Sequence, residues 1–131
     1  MYYLDYRSND RFAKTKATGK YAGKYPTVVL TDPSSASASE IVTAALKDHG
    51  VAKIIGEKTF GKGVAQQLFF YEDGSSLKLT IAEWLSPKKN RLNNGGIEPD
   101  IKVSDREDTE VDEVLDRALR EIKNMYSLGS D

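Results

Sequence analysis

A serine and a lysine are the residues of this chain whose types and spacing could do chemistry. Ser37 is the central serine of the alternating run Ser35 to Ser39, and Lys58 and Lys62 follow in the glycine-rich segment 56–63. A serine hydroxyl becomes a good nucleophile only when a base takes its proton, and a neutral lysine amine can be that base. Burial among apolar groups favours the neutral amine, so we expect the lysine that does this to be nearly inaccessible.

From the residue types alone, a purely structural interpretation of the same residues is favoured. Ser37 followed three residues later by Glu40 fits a capping box at a helix N-terminus, and Ser34 or Ser35 could also cap. A lysine in a loop is usually a solvated surface residue. The catalytic interpretation remains as the alternative.

Composition excludes several other kinds of site. The 131 residues hold no cysteine and a single histidine, His49. Disulfides, thiolate catalysis and metal sites built from cysteine or several histidines are therefore excluded, and we expect no metal or organic cofactor. His49 stands beside the helix-stopping Gly50, where it would interact with a helix dipole and not serve a Ser-His-Asp triad. The net charge of −1 gives no electrostatic reason to expect nucleic acid or an anionic membrane as a partner.

Hydrophobic patterns predict one α/β domain over residues 1–131. A β-α-β unit should run from a buried strand at 27–31, through a helix from Ser37 to Asp48, to a strand at 52–55. The other expected elements are a polar hairpin of 1–6 and 11–18 around residues 8–10, a second hairpin of 64–71 and 75–84 turning at 72–74, and an extended segment at 97–103. In the strand 75–84 the apolar and polar residues alternate, so one face should be wet. No apolar run is long enough to span a membrane, and residues 1–7 lack the order of a signal peptide.

The last element should be a helix that begins near Thr109. Acidic residues crowd its first turn, as the helix dipole favours. Its apolar residues form one stripe at helical spacing: Val111, Val114, Leu115, Ala118, Leu119, Ile122 and Met125.

Four separate motifs resemble the C-terminal processing peptidase family, also called the tail-specific proteases. They are Thr27-Val28-Val29-Leu30 leading through Ser35-Ala36-Ser37-Ala38-Ser39-Glu40-Ile41-Val42, then Ile55-Gly56-Glu57-Lys58-Thr59-Phe60-Gly61-Lys62-Gly63 with Gln66, then Gly74-Ser75-Ser76-Leu77-Lys78-Leu79-Thr80, and finally Gly96-Ile97-Glu98-Pro99-Asp100. They occur in the family's order and spacing. The resemblance implies a crotonase-like (ClpP/crotonase-type) layered core, with a mixed sheet and packed helices.

The resemblance also implies a role for each matching residue. Ser37 would be the nucleophile, Lys62 the general base, and Gln66 the hydrogen-bonding partner that holds the lysine amine. The backbone amide of Ala38 would be one oxyanion donor. If 62–66 is extended chain, the even spacing puts Lys62 and Gln66 on one face. Ser35, Ser39 and Glu40 would then have structural roles, and 93–96 would only form a loop.

Two departures from the family pattern stand out. Ser34 occupies a position where the family usually carries glycine. The upstream strand and Asn-Pro-Gly-Gly-like turn that resemble the source of the second oxyanion amide do not occur in this chain, and neither does a PDZ domain. The sequence therefore matches the C-terminal half of a peptidase core, a partial domain.

The function expected by resemblance is a serine endopeptidase that cleaves near protein C-termini through a Ser37–Lys62 dyad. Its partners would be a protein or peptide tail as substrate, the missing upstream segment and PDZ domain, and a second copy in a homo-oligomer. The family works outside the cytoplasm, in the periplasm, cell envelope or a lumen. Two alternatives remain: a module that binds a peptide or an apolar ligand without cutting it, and a structural fragment whose first hairpin and last helix dock onto missing chain.

Overall fold

Two sheets and two helices make up the part of the chain that the structure describes. The computed structural model describes residues 2–6, 11–15, 25–106 and 108–127. In chain order its elements are β1 (Tyr2–Tyr6), β2 (Arg11–Thr15), β3 (Val28–Thr31), α1 (Ala38–Asp48), β4 (Lys53–Gly56), β5 (Val64–Phe70), β6 (Ser76–Leu85), β7 (Ile101–Lys102) and α2 (Glu113–Ser127). One sheet is parallel, in the order β3-β4-β7, and the other is antiparallel, in the order β2-β1-β6-β5. The predicted α/β class is confirmed.

The predicted β-α-β unit is present as β3, α1 and β4. β3 and β4 pair in parallel, with Val29 opposite Ile54. Ile54 and Ile55 are completely buried, as expected for a strand with covered faces. Leu30, in the middle of β3, is 42% exposed, so β3 is less buried than its apolar sequence predicts.

Both predicted hairpins form antiparallel pairs. β1 pairs with β2, while the turn expected at residues 8–10 and the strand end expected at 16–18 lie outside the described residues. Between β5 and β6, Gly74 adopts a positive φ of 82°, and the Asp73 carboxylate accepts hydrogen bonds from the Ser75 amide and hydroxyl. The expectation of one wet face on β6 is too simple, because Leu77 and Leu79 are also exposed, at 43% and 45%.

α1 begins and ends as the sequence predicts. Ser37 is its N-cap residue and His49 its C-cap residue, the latter placed where an imidazole can interact with the helix dipole. Ala44 on its inner face joins a buried cluster with Leu92 and Ile97. This cluster lies between the helix and the loop that follows β6.

α2 begins later than the sequence predicts. Its first residue is Glu113, not Thr109, because the Asp112 carboxylate accepts a 2.6 Å hydrogen bond from the Leu115 amide and so caps the helix there. Of the predicted stripe only Ala118 is fully buried. Neither of the helices that the structure describes has both the length and the apolar composition of a membrane span.

Candidate active site

Ser37 is the last residue of the segment that joins β3 to α1, immediately before the helix begins. Its backbone has φ 57° and ψ −117°, a combination that is costly for any residue with a side chain and that concentrates at functional sites. Ala38 is the first residue of α1, and an amide in the first turn has no acceptor within the helix. A hydroxyl on a strained junction beside a free helical amide is the arrangement that acyl transfer needs.

The turn before Ser37 is held by one carboxylate. Asp32 Oδ1 accepts hydrogen bonds from the Ser34 amide at 2.9 Å, the Ser35 amide at 2.7 Å and the Ser35 hydroxyl at 2.8 Å. The Ser35 hydroxyl is the main reason that the pKa of Asp32 lies below its ordinary value. Ser34 and Ser35 therefore order the approach to the helix and do not cap it, while the Ser39 hydroxyl donates to the Ala36 carbonyl.

Glu40 joins the start of α1 to the glycine-rich segment. The residue is 1% exposed, and its Oε2 accepts one hydrogen bond from the Ser37 amide and another from the Lys62 amide, each 2.9 Å long. Oε1 accepts from the Gly61 amide at 2.7 Å and from the Thr59 hydroxyl at 2.5 Å. The backbone nitrogens of Ser37 and Lys62 thus share one oxygen atom and lie no farther apart than twice 2.9 Å.

The Lys62 side chain is exposed in this structure, so the expectation of a nearly inaccessible lysine is wrong for the chain as it stands. Within residues 2–6, 11–15, 25–106 and 108–127, its amine makes no hydrogen bond or ion pair. The other lysine of the segment, Lys58, is also exposed and lies 3.1 Å from the Glu98 carboxylate. Glu40 therefore fixes the backbone position of Lys62 but does not hold its side-chain amine.

A second loop supports the lysine segment from its other side. The Asn94 amide donates to the Gly61 carbonyl at 2.8 Å. A Cβ atom on Gly61 would lie 2.8 Å from the Gly96 nitrogen, and one on Gly63 would overlap the backbone of Asn93. The loop at 93–96, for which the sequence suggested only a turn, therefore packs backbone to backbone against residues 61–63.

Gln66 lies on β5, and its even spacing from Lys62 does not by itself place the two residues on one face. Lys62 precedes the strand, and a β-bulge between Ala65 and Gln66 interrupts the alternation of faces. The exposed Gln66 amide is instead 3.4 Å from the Thr80 hydroxyl on β6. The spacing argument required a regular extended chain over 62–66, and this condition is not met; the position of Gln66 near the lysine amine stays a prediction.

Sequence reasoning found Ser37 and Glu40 as a pair but missed what Glu40 does. The Ser-x-x-Glu spacing predicts the bond from the Ser37 amide to the Glu40 carboxylate. Nothing local in the sequence indicates the three further donors, which come from Thr59, Gly61 and Lys62. The local sequence shows only an acidic residue in the first turn of α1, where the helix dipole favours one.

Comparison with known sequences finds one family model and several related proteases. The family model described as peptidase family S41 matches residues 2–103. The carboxy-terminal processing protease CtpB of Bacillus subtilis strain 168 is 48% identical over 79 residues, which is 60% of this chain and 16% of the relative. The carboxyl-terminal-processing protease of Picosynechococcus sp. is 44% identical over 92 residues, which is 70% of this chain and 22% of the relative. The chain thus spans about a fifth or less of the length of these curated relatives.

Solved structures agree with this assignment. A photosystem II D1 C-terminal processing protease is 41% identical, has a TM-score of 0.55 and covers 60% of this chain and 20% of its own. A lipoprotein from Streptococcus agalactiae shares the fold over 95% of this chain and 44% of its own, with a TM-score of 0.71 at 17% identity. Together with the family model, which covers most of the sequence, these matches show that the chain belongs to peptidase family S41.

Proposed function

We propose that this chain is the catalytic half of a serine endopeptidase that cleaves proteins near their C-termini, with Ser37 as nucleophile and Lys62 as general base. The observation that supports this most strongly is the Glu40 carboxylate, which ties the backbones of both residues to one oxygen atom. Such a tie keeps a nucleophile and a base close together, a precondition for catalysis by proximity. Three of the similar proteins, each more than 40% identical, are named C-terminal processing proteases, and this favours a protein tail as the substrate.

In the proposed reaction Ser37, Lys62 and Ala38 each have one role. The Ser37 hydroxyl oxygen forms a bond to the scissile carbonyl carbon while its proton passes to the Lys62 amine. The Ala38 amide donates to the carbonyl oxygen as it becomes negative. The carbon–nitrogen bond then breaks, and the ammonium of Lys62 returns the proton to the leaving amine. Water attacks the acyl-enzyme with Lys62 again as base, which releases the acid and restores the Ser37 hydroxyl.

The exposure of the Lys62 amine extends this proposal to a part of the protein beyond the described residues. A base of this kind needs a site from which water is excluded, so the upstream half of the core would cover Lys62, orient it together with Gln66 and supply the second oxyanion amide. A PDZ domain in that region would present the substrate tail. The complete core would have the crotonase-like layered fold, and the protein would act outside the cytoplasm as a homo-oligomer.

Covalent labelling of the serine tests the dyad directly. We expect a fluorophosphonate probe to modify Ser37, and Ser37→Ala to abolish the modification. Lys62→Ala should slow labelling by roughly 100-fold or more, the usual loss of a general base. Ser39→Ala and Lys58→Ala are matched controls, since both residues are exposed, and neither change should alter the rate. Labelling that persists in Lys62→Ala at the wild-type rate would reject the dyad.

The open lysine also favours a second candidate, a fragment that binds peptide without cutting it. Labelling should therefore be repeated with the upstream half of a family core added as a separate chain. Labelling only in the mixture would show that the active site is divided between the two halves. No labelling in either sample, together with peptide binding measured by calorimetry, would establish the non-catalytic function.

A further inference from the structure

The loop at 93–96 holds an asparagine that is followed directly by a glycine. Asn94 precedes Gly95, and no other asparagine of the chain precedes a glycine. Asparagine is among the chemically labile residues of proteins, because the next backbone nitrogen can attack its side-chain amide. A following glycine makes this attack easier, since it has no Cβ atom and its backbone is the least restricted. Asn94 and Gly95 are both exposed, so water also reaches the pair.

The fold does not require a glycine at position 95. A Cβ atom there would lie 3.5 Å from the Arg91 carbonyl oxygen and 3.9 Å from the Leu92 carbonyl oxygen, which is ordinary contact. The φ of Gly95 is not among the positive values that favour glycine. Its nitrogen donates a 3.2 Å hydrogen bond to the Leu92 carbonyl, at the long limit for such bonds. The nitrogen that would attack Asn94 is therefore held only weakly.

We propose that Asn94 is a site of spontaneous deamidation. The Gly95 nitrogen forms a bond to Cγ of Asn94, the bond from Cγ to the side-chain nitrogen breaks, and ammonia leaves with the proton of the Gly95 nitrogen. The product is a succinimide ring, which water opens at either of its carbonyl carbons. Opening at Cγ gives aspartate. Opening at the backbone carbonyl carbon gives isoaspartate, in which the chain runs through Cγ and its backbone is one atom longer.

The extra backbone atom of isoaspartate falls between two fixed points of the loop. On one side of it the Asn94 amide donates to the Gly61 carbonyl at 2.8 Å, and on the other side the Ile97 amide donates to the Thr59 hydroxyl at 2.7 Å. A longer chain between these two nitrogens strains both bonds. The Thr59 hydroxyl and the Gly61 amide are two of the four donors to Glu40. Isoaspartate therefore loosens the segment that Glu40 holds, whereas aspartate keeps the backbone length and leaves it in place.

Mass spectrometry of the full chain after ageing at mildly alkaline pH tests the site. The peptide that contains Asn94 should gain about 1 Da as the amide becomes an acid, and fragmentation should place the gain on Asn94. Asn90 is the internal control, because it is also exposed but precedes Arg91, and it should stay unmodified. Gly95→Ala should fold like the wild type and deamidate severalfold more slowly. The proposal is overturned if Asn94 is modified no faster than Asn90, or if Gly95→Ala deamidates at the wild-type rate.

Amide hydrogen exchange tests the consequence for the Glu40 contacts. The isoaspartate form, separated by chromatography, should exchange the amides of Gly61 and Lys62 faster than the fresh protein does. Asn94→Asp is the matched control, since it adds a carboxylate without the extra backbone atom, and it should keep the wild-type protection at both amides. Equal protection in the isoaspartate form and in Asn94→Asp would overturn the loosening. Neither measurement requires peptidase activity, so both outcomes are independent of the proposed dyad.

Discussion

Replacing Glu40 by glutamine tests the arrangement on which the candidate active site depends. The substitution keeps the size of the side chain but exchanges one carboxylate oxygen for an amide nitrogen that donates and cannot accept. Glutamine can keep its oxygen toward Thr59 and Gly61, the two shortest contacts. Its amide nitrogen must then face the amides of Ser37 and Lys62, and both of these partly buried donors lose their acceptor.

The expected loss of stability follows from that count. A hydrogen bond to a charged group contributes about 1.5–3 kcal/mol, and a buried donor without a partner costs a comparable amount. Two such bonds amount to about 3–6 kcal/mol, and the neutral side chain recovers part of this because it is less costly to bury. We expect Glu40→Gln to lower the free energy of unfolding by about 3 kcal/mol, a large share of the roughly 5–15 kcal/mol available to a domain.

Urea unfolding followed by the fluorescence of Trp84 is a suitable measurement. The matched control is Glu72→Gln in the turn between β5 and β6, where the side chain is exposed and the change should be within about 0.5 kcal/mol. Amide hydrogen exchange should accelerate at Ser37 and Lys62 in Glu40→Gln and be unaffected in the control. If the free energy of unfolding of Glu40→Gln lies within about 1 kcal/mol of the wild-type value, the contacts from the Ser37 and Lys62 amides contribute less than their geometry implies.

Two further predictions concern the parallel sheet. Gly56→Ala should destabilise the fold by more than about 2 kcal/mol in the same urea assay, because Gly56 has φ 124° and a Cβ atom would overlap a carbonyl of β3. The control is Gly74→Ala, which should cost about 1 kcal/mol because Gly74 has φ 82° but open space around it. Equal losses in the two variants would contradict the role of the close contact between Gly56 and β3. Partial desolvation raises the pKa of Asp100, but hydrogen bonds from the Lys47 ammonium at 2.8 Å and the Ile54 amide at 2.9 Å outweigh it and hold the pKa below its ordinary value. The ionised form therefore contributes stability that is complete above the unfolded pKa near 3.9 and is lost as the pH falls through the folded pKa. Asp100→Asn should accordingly show a flatter loss of stability than the wild type below about pH 4 when unfolding is measured across an acid series.

The sequence predicts the secondary structure well where the relevant forces are local. The apolar run that becomes β3, the Ser37 N-cap and the Gly74 turn each depend on neighbours in the chain, and each is confirmed. The site is predicted less completely because its bonds come from distant segments. Glu40 shares its carboxylate with donors 19 to 22 residues away, and the bulge before Gln66 breaks a spacing argument that assumes a regular strand.

Burial is the property that the sequence predicts least well. An apolar stripe on α2 reads as a core face, yet Leu115 and Leu119 remain exposed because the helix packs on the sheet through Ala118 and Glu121. Lys62 is exposed for a related reason, since no described residue covers its side chain. Periodicity shows which residues share a face, and it does not show what lies against that face.

The backbone contact between residues 61–63 and the loop at 93–96 limits how this site can change. With no space for a Cβ atom at Gly61 or Gly63, random mutagenesis should recover almost no folded variants with substitutions at these two positions. Phe60 offers the opposite case: its side chain is 68% exposed while its amide is bonded to the Ser35 carbonyl at 2.9 Å. Libraries that vary Phe60 and leave the adjoining glycines untouched should therefore yield the largest share of folded variants.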